Sequence, residues 1–167
     1  SQFEAGLPRG INQRWTQVDI GDRDGLLDVA RCVRDHGGAD CLLHLAGYYD
    51  FDYADHPEYT RTNVEGTRNV LHAAKDAGIK RLVCTSSVAA VGYPADPKRP
   101  YDERRWNTRA RNPYIRAKTK AEQLAFELYG VFLAFHLYHR LLRDPEARQR
   151  ARTAFEQLLE GVRTSPE

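Results

Sequence analysis

The chain has 167 residues, which is long enough for one domain with a full hydrophobic core. Its composition, with 41% hydrophobic and 29% charged residues, fits a globular protein, and the net charge of +2 is too small to indicate a nucleic acid or a membrane surface as partner. The apolar runs stay short of the roughly eighteen residues that a membrane-spanning helix needs, so no transmembrane helix is expected.

The cysteines and the missing methionine bear on where the protein works and where it begins. Cys32, Cys41 and Cys84 are odd in number and lack metal-ligand spacing. This pattern favours buried thiols in a reducing compartment, and we predict a cytoplasmic protein. Because the chain contains no methionine, Ser1 is not a natural translation start, and we expect further sequence upstream.

The first third of the chain predicts a strand, a helix and a second strand. Residues 15–20 have the pattern of a strand. Asp22 is a plausible N-cap for a helix over residues 23–36, which two glycines then stop. Residues 41–46 form a continuous apolar run, which is typical of a strand buried on both faces of a parallel sheet.

The middle of the chain predicts a long helix, a third strand and a loop. Residues 57–77 indicate a helix closed by Gly78. Its apolar stripe is formed by Val64, Thr67, Leu71 and Ala74. Residues 81–85 predict the third strand, and residues 92–112 predict a long loop rich in glycine, proline and charge.

The last part of the chain is predicted to be helical. Pro113 opens a helix that should run to about residue 129, with Gly130 after it. Residues 131–142 are apolar and aromatic, and Asp144 before a proline predicts a final helix through about residue 162. Short apolar runs that alternate with amphipathic stretches indicate an α/β fold with a parallel sheet, flanking helices and a helical C-terminal tail.

Three side-chain types that serve acid–base chemistry fall on neighbouring predicted elements. Tyr114 and Lys118 are separated by one helical turn, so both should point from the same helix face. Ser86 and Ser87 follow the third predicted strand. A phenol, an ammonium and a hydroxyl suffice to move a proton onto or off a substrate oxygen while hydride moves elsewhere. The alternative is a surface tyrosine–lysine pair and serines that bond only the backbone.

Four short motifs carry a resemblance to a known family. In chain order they are His44-Leu-Ala-Gly47, Asn63-Val-Glu-Gly-Thr67, Thr85-Ser-Ser87 and Tyr114-x-x-x-Lys118. Over residues 15–130 the chain resembles the extended short-chain dehydrogenases/reductases, which include NAD-dependent sugar-nucleotide epimerases, dehydratases and dihydroflavonol-reductase-like enzymes. The resemblance implies a partial NAD(P)-binding Rossmann-like domain over residues 1–130 and a helical tail over residues 131–167.

The resemblance also implies catalytic roles. Tyr114 matches the general acid/base, and Lys118 matches the cation that stabilises the phenolate and holds the nicotinamide ribose. A cation is needed because a free tyrosine, with a pKa near 10, is a poor base at neutral pH. Ser87 matches the hydroxyl that polarises the substrate oxygen, with Ser86 as the runner-up.

Further positions match residues that hold the cofactor in relatives. Asp19 and Ile20 match the pair that contacts the adenine edge, although Asp19 is alternatively an ordinary loop acid. Ala46 and Gly47 match small residues that let the cofactor approach the strand end. Asn63 matches a position near the active site, and its alternative role is to brace backbone. NAD and NADP both remain open as the cofactor.

The chain departs from the family pattern at both ends. A Gly-x-x-Gly-x-x-Gly turn, which cradles the pyrophosphate in relatives, should precede residue 15, and Gly6 and Gly10 do not form it. After Gly130 relatives continue with a strand and a substrate-binding region, whereas this sequence predicts helices.

Several aromatic and histidine residues have two open interpretations. His44 is expected in the core or behind the site. The loop after the second predicted strand contains Tyr48, Tyr49, Phe51 and Tyr53, which either line a substrate mouth or pack onto the domain. His136 and His139 lack a carboxylate or cysteine partner at fitting spacing, so no metal site is expected.

The motifs together predict an NAD(P)-dependent oxidoreductase or epimerase that transfers hydride at a carbinol or carbonyl carbon of a small molecule. The alternative is a catalytically silent Rossmann-like remnant that serves as a binding or assembly module. The resemblance implies a homodimer through the Tyr114 helix and the long helix before it.

Overall fold

The computed structural model describes residues 14–50, 54–92, 98–99 and 105–161 of the chain. In chain order its elements are α1 (Arg23–Asp35), β1 (Cys41–His44), a π-helical segment (Tyr59–Glu65), α2 (Gly66–Asp76), β2 (Arg81–Cys84), a 3₁₀ turn (Val88–Ala90), α3 (Pro113–His136), a π-helical turn (Leu137–Leu141) and α4 (Ala147–Gly161). This mixture of helices around a parallel strand pair confirms the predicted α/β class.

Helix α1 begins and ends where the sequence predicts. The Asp22 carboxylate accepts hydrogen bonds from the N–H groups of Asp24 and Gly25, which otherwise lack partners at a helix start. After the helix, Gly37 and Gly38 have φ angles of 103° and 82°, which glycine adopts without the steric cost of a Cβ.

The predicted strand over residues 15–20 is wrong. Residues 14–19 have no regular secondary structure, and β1 pairs with β2 alone among the described strands. A strand forms only where a partner offers backbone groups, and no strand among the described residues pairs with this segment. Val18 and Ile20 instead pack against α1 and α2, and the Asp19 carbonyl accepts from the Asp22 N–H at 2.9 Å in a turn that leads into α1.

The strand pair is covered on one face only. Leu42 and Leu82 face α1 and α2, where they meet Leu26 and Val70 in the main core cluster. On the other face Leu43 is 63% exposed, so the predicted burial of this strand on both faces is wrong. Helices cover one side of the pair, and nothing in the described residues covers the other.

The long helix before β2 is present, with one irregularity. The π-helical segment leads directly into α2, and Gly78, with φ 71°, follows its end as predicted. The predicted stripe is confirmed, because all four of its residues are buried: Val64, Thr67, Leu71 and Ala74. A π-helical turn is rare and is found most often at functional sites.

Helix α3 is longer than the sequence predicts. It runs through Gly130 to His136, so the predicted end near residue 129 is wrong. A glycine inside a helix costs only about 1 kcal/mol relative to alanine. Leu124 and Leu128 of the same helix are buried against α2 and α4 and stabilise it. The division of the chain at residue 130 stays a prediction, and α3 crosses that position without a break.

Helix α4 folds back onto α2 and α3. Its start follows Asp144, whose side chain accepts from the Glu146 N–H at 2.9 Å, as the predicted cap requires. Phe155 and Leu158 of α4 pack on a buried cluster formed by Leu71, Leu124 and Leu128. The tail therefore covers part of the two helices through which a homodimer was predicted.

The remaining predictions concern thiols, the long loop and membranes. All three cysteines are free thiols, yet Cys41 is exposed and the other two are half-buried, so the prediction of buried thiols is wrong.

The loop over residues 92–112 is described only in part. Its Trp106 forms an antiparallel bridge with Val91, which directly precedes the loop. No helix in the described part of the chain is long and apolar enough to cross a membrane.

Leu124→Ala should lower the free energy of unfolding by about 2–4 kcal/mol, because it opens a cavity where α2, α3 and α4 meet. Leu133→Ala is the matched control on the same helix, since Leu133 is half exposed, and should change it by about 0.5 kcal/mol or less. Urea unfolding followed by circular dichroism measures both, and equal losses would contradict the packing of α4 on this cluster.

Candidate active site

The site forms where the two parallel strands end. The Thr85 N–H donates to the His44 carbonyl at 3.0 Å, and its hydroxyl donates to the same oxygen at 3.2 Å. This extends the pairing beyond Cys84 and holds the two chain segments together as they leave the sheet. Ala46 and Gly47 follow one strand and the two serines follow the other, so all four predicted residues start from one edge.

Helix α3 begins beside this edge. The Asn112 side chain accepts from the Ile115 N–H at 3.2 Å and caps the helix, and Pro113 occupies its first position. This start places Tyr114 and Lys118 on one face of the helix. Lys118 Nζ donates to the Thr85 carbonyl at 3.2 Å, which joins that face directly to the end of β2.

Gly47 and Lys118 come close together. A Cβ built on Gly47 would lie 3.6 Å from Lys118 Nζ and 3.2 Å from Asn63 Oδ1. Any larger side chain at this position would therefore press on the ammonium and the amide. Partial burial lowers the pKa of Lys118, while the nearby Cys84 and Glu122 oppose that change. The missing Cβ keeps space open in front of the ammonium.

Tyr114 lies against other aromatic rings. Its ring meets Tyr49 edge to face with centroids 4.8 Å apart, and it meets Tyr59 at 6.1 Å. Tyr48 packs on Tyr59, so both described tyrosines of the loop pack onto the domain, and Tyr49 remains partly exposed beside Tyr114. The other two aromatic residues of this loop, at positions 51 and 53, lie outside the described residues.

The two serines differ in how their hydroxyls are used. Ser86 Oγ donates to Glu122 Oε2 at 2.8 Å, so its hydrogen is engaged. Ser87 Oγ accepts from the Ala89 N–H at 3.3 Å and caps the 3₁₀ turn. The Ser87 hydroxyl hydrogen is not used in that bond, which leaves Ser87 able to donate to a further oxygen.

Asn63 braces the loop behind the site. Its Nδ2 donates to the Tyr48 carbonyl at 2.9 Å, and its Oδ1 accepts from the Tyr48 N–H at 2.7 Å. The side chain is fully buried within the π-helical segment. Both ends of the amide thus hold one residue's backbone, which matches the bracing role considered for Asn63.

Asp19 contacts the π-helical segment, and Ile20 contacts the start of α2. Arg61 forms an ion pair with Asp19, and the Gly21 N–H donates to the same carboxylate at 2.8 Å. These two donors lower the pKa of Asp19. Ile20 lies so close to Gly66 that a Cβ there would meet Ile20 Cδ1 at 2.7 Å. The predicted adenine pair therefore lies against the π-helical segment and α2.

His44 is a buried residue behind the site, as predicted. Its Nε2 lies 3.0 Å from Thr67 Oγ1, and Thr67 donates its own hydrogen to the Asn63 carbonyl at 2.7 Å. Because the Thr67 hydrogen is already used, we assign the hydrogen of this contact to His44 Nε2. Burial first, and the Lys118 charge second, lower the pKa of His44.

Two charged partners were not predicted from the sequence. Glu122 accepts from Ser86, and Arg61 pairs with Asp19. Glu122 follows Lys118 by four residues, so helical spacing alone would place it on the site face. Arg61 carries no comparable signal, since its partner is distant in sequence.

One of the two tail histidines, His139, has a described side chain. The His139 ring stacks on Phe135 with centroids 5.0 Å apart, and nothing is described for the His136 side chain. Among the described residues there is no group of three or more histidines, cysteines and acids that could hold a metal ion.

Stability should fall below about pH 6.5 because of His44. An unfolded histidine takes up a proton near that pH, whereas the folded pKa of His44 is lower. The contribution of His44 is therefore complete above pH 6.5 and is lost as the pH falls towards the folded pKa. His44→Gln should lose less stability than the wild type between pH 7 and pH 5 in urea unfolding. The variant His36→Gln, at an exposed histidine, is the control and should keep the wild-type slope of stability against pH. Equal slopes in the wild type and both variants would contradict the contribution assigned to His44.

Comparison with known proteins places these residues in a family. The model of the NAD dependent epimerase/dehydratase family matches residues 2–138. The chain is 47% identical over 85 residues to a putative dihydroflavonol 4-reductase of Synechocystis sp., a match that covers 51% of this chain and 23% of that protein. It is 35% identical over 112 residues to cinnamoyl-CoA reductase 1 of Oryza sativa subsp. japonica, with 63% of this chain and 32% of the relative covered. It is 38% identical over 109 residues to a putative NADPH-dependent methylglyoxal reductase of Candida albicans, a match that covers 57% of this chain and 32% of that protein.

The chain spans about a third or less of the length of these curated relatives. The family match nevertheless covers all four motifs, both described strands and the whole of α3. The resemblance drawn from the motifs is thus confirmed, and the chain belongs to the NAD dependent epimerase/dehydratase family.

Proposed function

We propose that the protein is an NAD(P)-dependent oxidoreductase or epimerase, in which Tyr114 moves a proton while hydride is transferred at a carbinol or carbonyl carbon. The observation that carries this proposal is the joining of the Tyr114–Lys118 face to the strand ends through the Lys118 bond to the Thr85 carbonyl. The family supports the cofactor class, and the names of the relatives support reduction or epimerisation.

The proposed proton transfer requires a cation close to the Tyr114 hydroxyl. A phenol gives up its proton near pH 10 in water, and a cation within one helical turn stabilises the phenolate that results. Lys118 supplies that cation, and its bond to Thr85 keeps the ammonium near the strand ends. Ser87 has a hydroxyl hydrogen to donate to the substrate oxygen, which positions that oxygen for proton exchange with Tyr114.

The residues present fit part of a nicotinamide site. When bound, the cofactor supplies or accepts the hydride. Ala46 and Gly47 leave a strand end without bulky side chains, and the Lys118 ammonium next to Gly47 is placed to donate to ribose hydroxyls. Asp19 is already paired with Arg61, but a carboxylate has about four lone-pair sites and can still accept from an adenine amine. NAD and NADP are both compatible with these residues.

The proposal extends to the substrate, the cellular compartment and the oligomeric state. The relatives' names support a small carbonyl or alcohol substrate, and the three free thiols support the cytoplasm as compartment. A homodimer through α2 and α3 stays a prediction. In this chain α4 packs on Leu71, Leu124 and Leu128, so such a dimer has to use the parts of α2 and α3 that α4 leaves uncovered.

A binding or assembly module is the second candidate function. The open face of the strand pair favours it, because Leu43, Leu45 and Val83 are more than half exposed there. The two candidates differ in one observable. An enzyme of this family binds NADH or NADPH, whereas an assembly module gives no response to either in a fluorescence titration.

Tyr114→Phe should keep nicotinamide affinity and lower turnover by about 10²–10⁴-fold, because only the proton carrier is removed. Binding is measured by NADH and NADPH fluorescence. Turnover is measured as NAD(P)H oxidation with a dihydroflavonol and with methylglyoxal as carbonyl probes. Tyr129→Phe, an exposed tyrosine on the same helix, is the control and should behave as wild type. Loss of binding in Tyr114→Phe, or full turnover, would contradict the assigned role.

Ser87→Ala should lower turnover more than Ser86→Ala does. Ser87 has a free hydrogen for the substrate oxygen, and loss of one such donor costs about 10²–10³-fold in other enzymes. The Ser86 hydrogen is already donated to Glu122, so its removal should act mainly on stability. The same oxidation assay decides between them, and a larger loss in Ser86→Ala would reverse the assignment.

A further inference from the structure

Arg61 is held in place by two carboxylates beside the predicted adenine pair. Its Nη2 forms the ion pair with Asp19, and its Nη1 donates to the two oxygens of Glu58 at 3.2 Å and 3.0 Å. The Thr62 hydroxyl also donates to Glu58, so that carboxylate is fixed in turn. Both terminal nitrogens of the guanidinium are therefore committed, and two acceptors at separate corners fix the orientation of the planar group.

Gly21 covers one face of that plane. A Cβ built on Gly21 would lie 2.7 Å from Arg61 Cζ, 2.8 Å from Nη2 and 3.0 Å from Nε. A point at the edge of the guanidinium would be closer to a nitrogen than to the central carbon. Since Cζ is the nearest atom, Gly21 lies over the face of the group, and its missing side chain lets the two approach closely.

The backbone that carries Gly21 is also fixed. The Asp22 N–H donates to the Asp19 carbonyl at 2.9 Å and closes the turn around Gly21. The Asn69 side chain donates to the Ile20 carbonyl at 3.0 Å. Asn69 is buried on α2, so it ties the turn to that helix. The guanidinium of Arg61 thus rests on a fixed support.

The opposite face of the guanidinium is left for a ligand. The Arg61 side chain is 45% exposed even though its terminal nitrogens are paired and one face is covered. It lines a cavity of about 520 Å³ together with Pro57 and Thr60. Binding sites for small molecules typically have volumes of roughly 300–1,000 Å³, so the cavity is large enough for a planar ring to lie on this face.

The charges around this cavity favour a neutral ligand group over an anion. Asp19 and Glu58 already offset the charge of Arg61. The cavity lining adds one further charge of each sign, on Arg23 and Glu65. The described charged side chains here are thus net negative and would repel a phosphate. A flat, uncharged group is the better match for an exposed guanidinium face.

We propose that Arg61 is a stacking platform for a planar, uncharged heteroaromatic base, which lies on the guanidinium face opposite Gly21. A guanidinium stacks well on aromatic rings because it is planar and weakly hydrated, and the ring electrons attract its charge. That the base is the adenine of the dinucleotide rests on the proposed function. The platform itself requires only a planar base.

Adenosine tests the platform without the rest of the cofactor. It is titrated into the ¹⁵N-labelled whole protein, and the Arg61 Nε–H signal, identified by its loss in Arg61→Lys, is followed by NMR. A proton over the face of an aromatic ring moves upfield, so we expect this signal to move upfield as adenosine binds. Ribose, which lacks the base, is the matched control and should leave the signal in place.

Arg61→Lys keeps the charge and removes the plane. The dissociation constant of adenosine, read from the Thr60 backbone signal, should rise by about 2- to 30-fold, as expected for the loss of one cation–ring contact. Gly21→Ala is a second test at unchanged charge, because its Cβ would displace the guanidinium and should also weaken binding. Arg31→Lys, at an exposed arginine of α1 that pairs with Asp28, is the control and should bind adenosine as the wild type does.

The outcomes separate this inference from the proposed function. If adenosine moves the Arg61 signal and Arg61→Lys weakens its binding while neither carbonyl probe is turned over, the platform stands and the proposed reaction fails. If NADH or NADPH binds equally well to the wild type and to Arg61→Lys, the platform is overturned and the cofactor proposal stands. An Arg61 signal that stays unmoved up to the solubility limit of adenosine also overturns the platform.

Discussion

The hydrogen bond from the Lys118 ammonium to the Thr85 carbonyl is the contact on which the candidate site depends. It joins the helix that carries the phenol to the strand end that carries the serines. The strand end is itself fixed, because Thr85 bonds the His44 carbonyl through both its N–H and its hydroxyl. A charged donor makes this bond stronger than one between neutral groups. The relative positions of Tyr114 and Ser87 therefore rest on this bond, on the bond between Ser86 and Glu122, and on the strand pairing behind them.

Partial burial of the Lys118 side chain has two opposing effects on this bond. It strengthens the attraction between the ammonium and the carbonyl, but it also disfavours the charge that makes the attraction strong. The surroundings of Lys118 reduce this conflict. His44 remains neutral behind it, Gly47 contributes no side chain in front of it, and the only carboxylate among the described residues that line the small cavity beside Lys118 is Glu122. The described groups of the cavity are thus arranged around a single positive charge, that of Lys118.

Local signals in the sequence predicted most of the helices and the start of α3, the helix that carries Tyr114 and Lys118. Asp22 and Asn112 cap helices, and Pro113 opens α3, because caps depend on neighbours within one turn. The strand predicted over residues 15–20 failed because strand formation depends on a distant partner. The contact of Asp19 with Arg61 was not predictable either, since it joins elements far apart in the chain. For Ser86 and Glu122, helical spacing indicates only that Glu122 shares a face of α3 with Lys118, and not that Ser86 bonds it. Gly130 shows the same limit, because α3 continues through this position although glycine locally favours the end of a helix.

The two serines show how a repeated residue acquires two roles from its surroundings. Both follow the same strand, and the sequence offers little to separate them. In the structure one hydroxyl is committed to Glu122 on α3, and the other accepts from the backbone of the turn that it caps. A committed donor cannot polarise a substrate oxygen without losing its partner, whereas a capping hydroxyl keeps its hydrogen. Since the first serine fixes the segment, the second can present its hydrogen at a defined place, and the tether through Ser86 becomes a condition for the role that we propose for Ser87.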